Sequence, residues 1–443
     1  CIMDLSRNLT DIFEDEFIRD KKKVLAQRAV HKNGIQASCE SIEAKQTVRP
    51  VFSIDLETGK VTDQKRSGRC WMFAALNTFR HRIIEEFKID DFELSQNYVF
   101  FWDKYEKANF FHENILATAN KPLDDRKVAF LLNLPQQDGG QWDMIVSIFQ
   151  KYGLVPKEAM PEVQASSNST EVNKYLNKKL RKDAMILRNL VAREASDQEI
   201  QETRRTLMKE VYDILAISLG SPVKKFDFKY RDKDKEYHVD KDMTPQAFYD
   251  KYVGLDLNEY VSVINAPTKD KPYMRSYTVE MLGNVVGGKE VKYINLDMED
   301  FKKLAIDQLS AGESVWFGCD VGQFSNNQSG IMALDTYEIG DLFDVDFSTS
   351  KADRLMYGES LMTHAMVLTG VDIVDGQPTR WKVENSWGDK VGHKGYYVMT
   401  DGWMDQYTYQ IVIKKDLLTD QQRQAFESQP IVLAPWDPMG SLA

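Results

Sequence analysis

The residues best suited to chemistry in this chain are a cysteine, a histidine and two side-chain amides. Cys70 lies in Gln64-Lys65-Arg66-Ser67-Gly68-Arg69-Cys70-Trp71-Met72-Phe73-Ala74, just past a glycine turn. After it Met72, Leu76, Phe79, Ile83 and Phe87 recur at steps of three and four, which predicts a helix with one continuous apolar face and Cys70 in its first turn. The unpaired N–H groups and dipole of a helix start favour an anion, so the spacing predicts a thiol with a lowered pKa and a raised thiolate fraction. Gln64, six residues upstream, carries an amide able to aim an N–H at an attacked carbonyl oxygen beside the backbone N–H of Cys70, forming an oxyanion hole. A lone cysteine is otherwise most simply a small hydrophobe.

The second half of the chemistry is far downstream. Thr363-His364-Ala365-Met366-Val367-Leu368-Thr369-Gly370 is a short apolar run of strand character, Asp375-Gly376 reverses the chain, and Trp381-Lys382-Val383-Glu384-Asn385-Ser386-Trp387-Gly388 alternates as a returning strand. His364 and Asn385 then stand at similar heights on neighbouring strands. An imidazole oriented by an amide is what a cysteine nucleophile needs as base and then acid, with Trp387 placed to shield their hydrogen bond from water. In Asp138-Gly139-Gly140-Gln141-Trp142, the paired glycines admit a close backbone approach, or make a tight turn.

The elements that must position these groups follow from patterning. The 443 residues exceed what one core usually fills, so we expect an N-terminal helix and extended arm (1–60), a helical lobe with Cys70 (61–165), a helical insertion (166–290), a β-rich lobe with His364 and Asn385 (291–425) and a tail (426–443). One amphipathic helix is expected over 10–31, burying Ile12, Phe13, Phe17, Val24 and Leu25. The polar run Ala165 to Thr170 reads as a boundary loop. Beyond it Val172, Leu176, Leu180, Leu187 and Val191 outline one helix, Ser196 with Glu199 caps a second that stops at Gly220, and Thr244, Pro245 and Gly254 frame a third. His31, His81, His112 and His238 have no partners at metal spacing and receive no role.

A net charge of −11 argues against general affinity for nucleic acid or anionic lipid, and no stretch is long and apolar enough to span a membrane. Cys1, Cys39, Cys70 and Cys319 show no paired or metal-like spacing, and the first residues lack the apolar core of a signal peptide; both suit a cytoplasmic setting.

The succession Q-x5-C-W, H-A and N-S-W-G resembles the papain-like cysteine peptidases. Within them the Q-K-R-S-G-R-C-W-M-F-A, D-G-G-Q-W-D-M, L-M-T-H-A-M and E-N-S-W-G strings are similar to the branch of bleomycin hydrolases and bacterial aminopeptidase C. Two departures from papain stand out. Ser67-Gly68-Arg69-Cys70-Trp71 lacks a preceding cysteine and its disulfide, and Cys70 and His364 stand 294 positions apart, against ~130–150 in papain-type enzymes. The insertion accounts for most of the excess.

The resemblance implies an α+β, papain-like two-lobed fold, with a helical lobe, a β-barrel-like lobe and a large helical insertion. It makes Cys70 the nucleophile, His364 the general base and acid, Asn385 the orienting residue and Gln64 the oxyanion donor, with Gly139 and Gly140 lining the substrate cleft. It implies no metal or cofactor. The tail Ala434-Pro435-Trp436-Asp437-Pro438-Met439-Gly440-Ser441-Leu442-Ala443 has two prolines and a glycine and is expected to be extended. By the resemblance it enters the cleft, where the carboxylate of Ala443 meets the substrate's α-ammonium and makes the enzyme an aminopeptidase acting on peptides with a free N-terminus. Membership of the branch further implies a homohexamer. The alternatives are an endopeptidase with a disordered tail and a non-catalytic ring that binds nucleic acid or a partner.

Overall fold

Where one amphipathic helix is expected at the start of the chain, two form, α1 (Arg7–Arg19) and α2 (Lys21–Asn33). They part at Asp20, whose extended backbone breaks the helix and whose carboxylate caps the amides of Lys22 and Lys23. The expected buried face is absent: Ile12, Phe13 and Leu25 are exposed, and Phe17 and Val24 are only half-buried. Amphipathic spacing sets the pattern of a helix, but burial needs a partner surface, and the short helix Ile339–Phe343 that meets α2 covers only part of that face.

The computed structural model describes residues 1–443. After two short helices (Ile35–Cys39, Ile42–Thr47) the chain runs extended and crosses the β-rich lobe. Ile54 and Asp55 pair with Val371 and Gly370; a Cβ on Gly370 would come within 2.6 Å of the Ile54 carbonyl, so that crossing requires glycine. The arm then delivers Gln64, whose N–H donates to the Ser386 carbonyl (2.8 Å), while the Gly388 N–H donates to the Thr62 carbonyl (3.0 Å).

The helical lobe is built on α3 (Cys70–Phe87), α4 (Gln96–Ala117) and α5 (Trp142–Tyr152). Met72, Leu76, Phe79 and Ile83 of α3 are buried, as their spacing predicts. Helices α6 (Thr170–Ala192) and α7 (Asp197–Leu219) pack on α4, and Ser196 caps α7 through the Glu199 amide. Thr244, Pro245 and Gly254 frame a short helix that passes into a π turn.

The stretch 166–290 departs from the expected helical insertion after Leu219. A hairpin (Phe226–Arg231 with Tyr237–Met243) turns through Asp232-Lys233-Asp234-Lys235-Glu236, and β1 (Tyr260–Ile264) and β2 (Arg275–Val279) join the main sheet. With β3 (Lys292–Asn295), β4 (Val315–Cys319), β5 (His364–Val374), β6 (Gln377–Glu384), β7 (Tyr396–Thr400), β8 (Thr408–Lys414) and β9 (Ile431–Leu433), the order is β9-β2-β3-β1-β8-β4-β5-β6-β7. Strand alternation then makes two cores. Trp316, Ala365 and Val367 face the helical lobe, while Phe317, Met366 and Leu368 face a second core closed by Phe301, Leu304 and Ala305 of α8 (Met298–Ser310). The head of α3 and the start of β5 meet along the seam between the lobes.

Candidate active site

Cys70 is the first residue of α3, and its buried Sγ accepts from the Ala365 amide at 3.4 Å. His364, the residue before Ala365, opens β5. Its Nε2 lies 2.9 Å from Asn385 Oδ1, which also accepts from the Ser386 amide at 2.8 Å. Since that oxygen only accepts, Nε2 carries the hydrogen and Nδ1 keeps its lone pair. The Trp387 ring lies 4.7 Å from the imidazole, tilted by 36° to it.

The expected lowering of the thiol pKa does not occur. Burial pushes Cys70 up to about 12, against the lowering pull of the Ala365, Trp71 and Cys70 amides. Burial likewise pushes His364 down to about 4, against the raising effect of the Asn385 bond. Both shifts favour the uncharged form of the group. Desolvation outweighs the helix start, because the opposite lobe covers the thiol.

Gln64 and Arg69 build the turn before Cys70. Gln64 Nε2 donates one hydrogen to the Ser67 carbonyl (2.8 Å), and Ser67 Oγ donates to the Gln64 carbonyl (2.6 Å). The second Nε2 hydrogen is unspent. Arg69 is fully buried between the Phe73 and Phe100 rings; its fork grips Glu162 (2.6 and 2.9 Å) and its Nε donates to Ser67 Oγ (2.8 Å). The polar run before α6 is no free boundary loop: Arg66 donates to the Ser167 carbonyl and the Ser169 amide to the Arg66 carbonyl, so it braces the same turn.

Asp138 is the hub that sequence inspection missed. Its carboxylate accepts from the Gly68 amide (2.9 Å), Lys104 Nζ (2.8 Å), Asn173 Nδ2 (2.9 Å) and Ser169 Oγ, and its carbonyl from Trp71 Nε1 (2.6 Å). Burial alone would raise its pKa, but Lys104 and these donors hold it well below the usual carboxylate range. The hub joins the cysteine turn to the paired glycines, the two segments of Ser67-Gly68-Arg69-Cys70 and Asp138-Gly139-Gly140 that lack a covalent tie.

The glycines are squeezed from two sides. A Cβ on Gly140 would meet the Trp71 ring at 2.6 Å, and one on Gly139 would meet the Ala443 carbonyl oxygen and Leu442 Cβ at 2.9 Å. The tail is what approaches. Gly140 N–H donates to the Ala443 carbonyl and Ala443 N–H to the Gly140 carbonyl, both at 3.1 Å, while Gln141 Nε2 holds the Ser441 carbonyl (2.7 Å). Contrary to the fully extended expectation, Pro438–Gly440 makes one 3-10 turn, which a proline at its first position permits. Asp437 anchors that turn through Lys271 (2.9 Å) and the Met439 amide (2.8 Å). Ala443 is buried.

Three other histidines are held by carboxylates. His81 pairs with Glu384 (3.1 Å) and His112 with Asp183 (2.9 Å). His238 does meet acidic neighbours, Asp232 and Glu236, but Asp232 is already spent on the amides of Asp234 and Glu236 and on His238 itself. That is a capped hairpin turn.

A cysteine at a helix head facing a histidine–asparagine pair across a two-lobed seam defines the papain-like fold. The chain belongs to the Peptidase C1-like family, whose profile matches residues 4–440. It is 58 % identical to aminopeptidase C of Streptococcus thermophilus over 99 % of each chain, and 56 % identical to aminopeptidase C of Lactococcus lactis subsp. cremoris over 100 % of each. Among solved structures, PepW from Lactobacillus rhamnosis HN001 superposes with a TM-score of 0.98 at 59 % identity, covering 99 % of both chains.

Proposed function

We propose that this chain is a cysteine aminopeptidase that releases N-terminal residues from peptides through Cys70, His364 and Asn385. The similarity to two aminopeptidases C supports the activity, and the Nε2–Asn385 bond, which leaves His364 Nδ1 with its lone pair, supports the route. Burial penalises a lone thiolate and a lone imidazolium alike, so charge forms here as a pair, when His364 Nδ1 takes the thiol proton as Sγ attacks the carbonyl. Asn385 Oδ1 holds Nε2–H and favours the imidazolium. The Cys70 amide and the unspent Gln64 Nε2 hydrogen stabilise the oxyanion, a donor of this kind being worth about 10²–10³ in rate. His364 then protonates the leaving amine, leaving a thioester on Cys70 that water, deprotonated by the same imidazole, hydrolyses.

The single observation that carries the exopeptidase assignment is the reciprocal pairing of Ala443 with Gly140. Gly140 rests on Trp71, next to Cys70, so a tail seated there occupies the backbone rail that upstream substrate residues would use. In a chain ending at Ala443, the carboxylate faces the substrate's ammonium, an attraction of about 1 to 4 kcal/mol at ~4 Å depending on solvent exposure.

The test compares an aminoacyl fluorogenic amide with its N-acetylated form, using the intact chain and one ending at Met439. Cleavage of the free amine alone by the intact chain, with the blocked substrate rescued by truncation, supports the proposal. Equal cleavage of both by both versions means an endopeptidase. A cytoplasmic setting and a homohexamer belong to the same proposal. The exposed Ile12, Phe13, Ile18 and Leu25 support self-association, and a monomeric mass in sedimentation would contradict it.

A further inference from the structure

Helix α4 turns Lys107 into the protein interior beneath the paired glycines. Its Nζ donates to the Gln137 carbonyl (2.8 Å) and the Gly139 carbonyl (2.7 Å) and forms an ion pair with Asp103 Oδ2 (2.7 Å). It also lies 5.2 Å from the centre of the Trp71 ring. Along 137–140 the carbonyls diverge. Those of Gln137 and Gly139 turn to Lys107, that of Asp138 to Trp71 Nε1, and that of Gly140 to the Ala443 N–H. An ammonium gripping the carbonyls on both sides of Asp138 fixes which way the next peptide group faces.

We propose that Lys107 is a specificity-determining positioning residue, which orients the Gly139–Gly140 backbone so that Gly140 offers both its N–H and its carbonyl to the tail and thereby keeps blocked N-termini out of the cleft. This inference rests on the tail-guided aminopeptidase assignment. Lys107 acts only through the backbone it holds. Its partner Asp103 is itself steadied by Asn284 (2.9 Å), so the ammonium is fixed from α4's own side as well as from the loop. An ordinary buried ion pair would contribute to stability without setting which substrates enter, and the two roles are separable by experiment.

Lys107→Met keeps the length of the side chain and removes every donor. The Lys107→Met/Asp103→Asn double variant leaves no orphan carboxylate and serves if the single one fails to fold. For each full-length variant, kcat and KM are measured on the aminoacyl amide and its N-acetylated form, together with the rate of Cys70 alkylation by iodoacetamide. We expect the ratio of kcat/KM, free over blocked, to fall about tenfold or more, chiefly through a raised KM for the free amine and a gain on the blocked one, with alkylation altered by less than about threefold. An unchanged ratio in a folded variant, even one with a lowered melting temperature, overturns the proposal and leaves Lys107 a structural ion. The chain ending at Met439 is assayed in parallel. If truncation leaves the ratio intact, the tail assignment itself has failed; if truncation collapses the ratio and loss of Lys107 does not, only the inference about Lys107 has.

Discussion

The two walls of the seam are held by different forces. The cysteine wall is tied by buried charge: Arg69 to Glu162, Lys104 to Asp138 and Lys107 to Asp103. The histidine wall is tied by a backbone ladder, β4 to β5 to β6, with apolar cores on both faces and a neutral imidazole–amide pair at its edge. Strand ladders satisfy their own polar groups. A turn ahead of a helix does not, and here the carbonyls and amides of 64–69 and 137–140 are met by side chains instead. The cysteine wall is accordingly the more brittle one. Removing one member of a buried ion pair strands the other charge, whereas losing Asn385 from the imidazole–amide pair strands none.

The largest effect expected is chemical. Cys70→Ala should abolish hydrolysis, with a loss of about 10⁴-fold or more in kcat, and leave the urea midpoint nearly unchanged. Next comes the brittle wall: Asp138→Asn should cost about 3–5 kcal/mol in urea unfolding, because Lys104 is left buried without its counter-charge, and Arg69→Met less than that but well above an exposed pair, because Glu162 is part-exposed. If either costs no more than an exposed pair, about 0–1 kcal/mol, the contrast between the walls fails. Asn385→Ala should lower kcat by about tenfold or more with a smaller loss of stability, since the imidazole keeps its strand but loses its tautomer and orientation.

A pH titration sharpens the same contrast. His364 is held at about 4 when folded, below its ordinary 6.5. Its unfolded form therefore binds more protons between these values, and stability is full above pH 6.5 and falls as pH drops through about 4. Asp138 acts in the same direction at lower pH, its carboxylate being depressed below the usual range. Thermal midpoints should thus decline below neutrality, and a His364→Phe variant should decline less between pH 6.5 and 4. The smallest stability effect is expected at α1, where Phe13→Ser should change unfolding by less than about 0.5 kcal/mol while altering the sedimenting mass if that face carries self-association.

Much of this site is legible in the chain itself. Cys70, His364 and Asn385 declare themselves because local pattern fixes their elements: an apolar face at helical spacing, a strand bounded by polar residues and an Asp375-Gly376 reversal. Asp138, Lys104 and Lys107 do not, because they meet only after α4 and the paired glycines pack together. A trace was present: the buried stripe of α4 runs Phe100, Lys104, Lys107, Phe111, with lysines at positions an apolar face would fill with hydrophobes. The sense of the thiol's pKa shift was not legible, since helix position is local but desolvation comes from the opposite wall. The same holds for β1, whose residues are buried on both faces and show no alternation to separate them from the helical insertion.

The most direct measurement is to mix the enzyme with an unblocked tetrapeptide, quench in acid within one turnover, and map the adduct by mass spectrometry. The account predicts a thioester on Cys70 carrying the single N-terminal residue of the peptide. A longer acyl segment on Cys70 would contradict the role of the tail, and hydrolysis with no adduct on Cys70 would contradict the nucleophile.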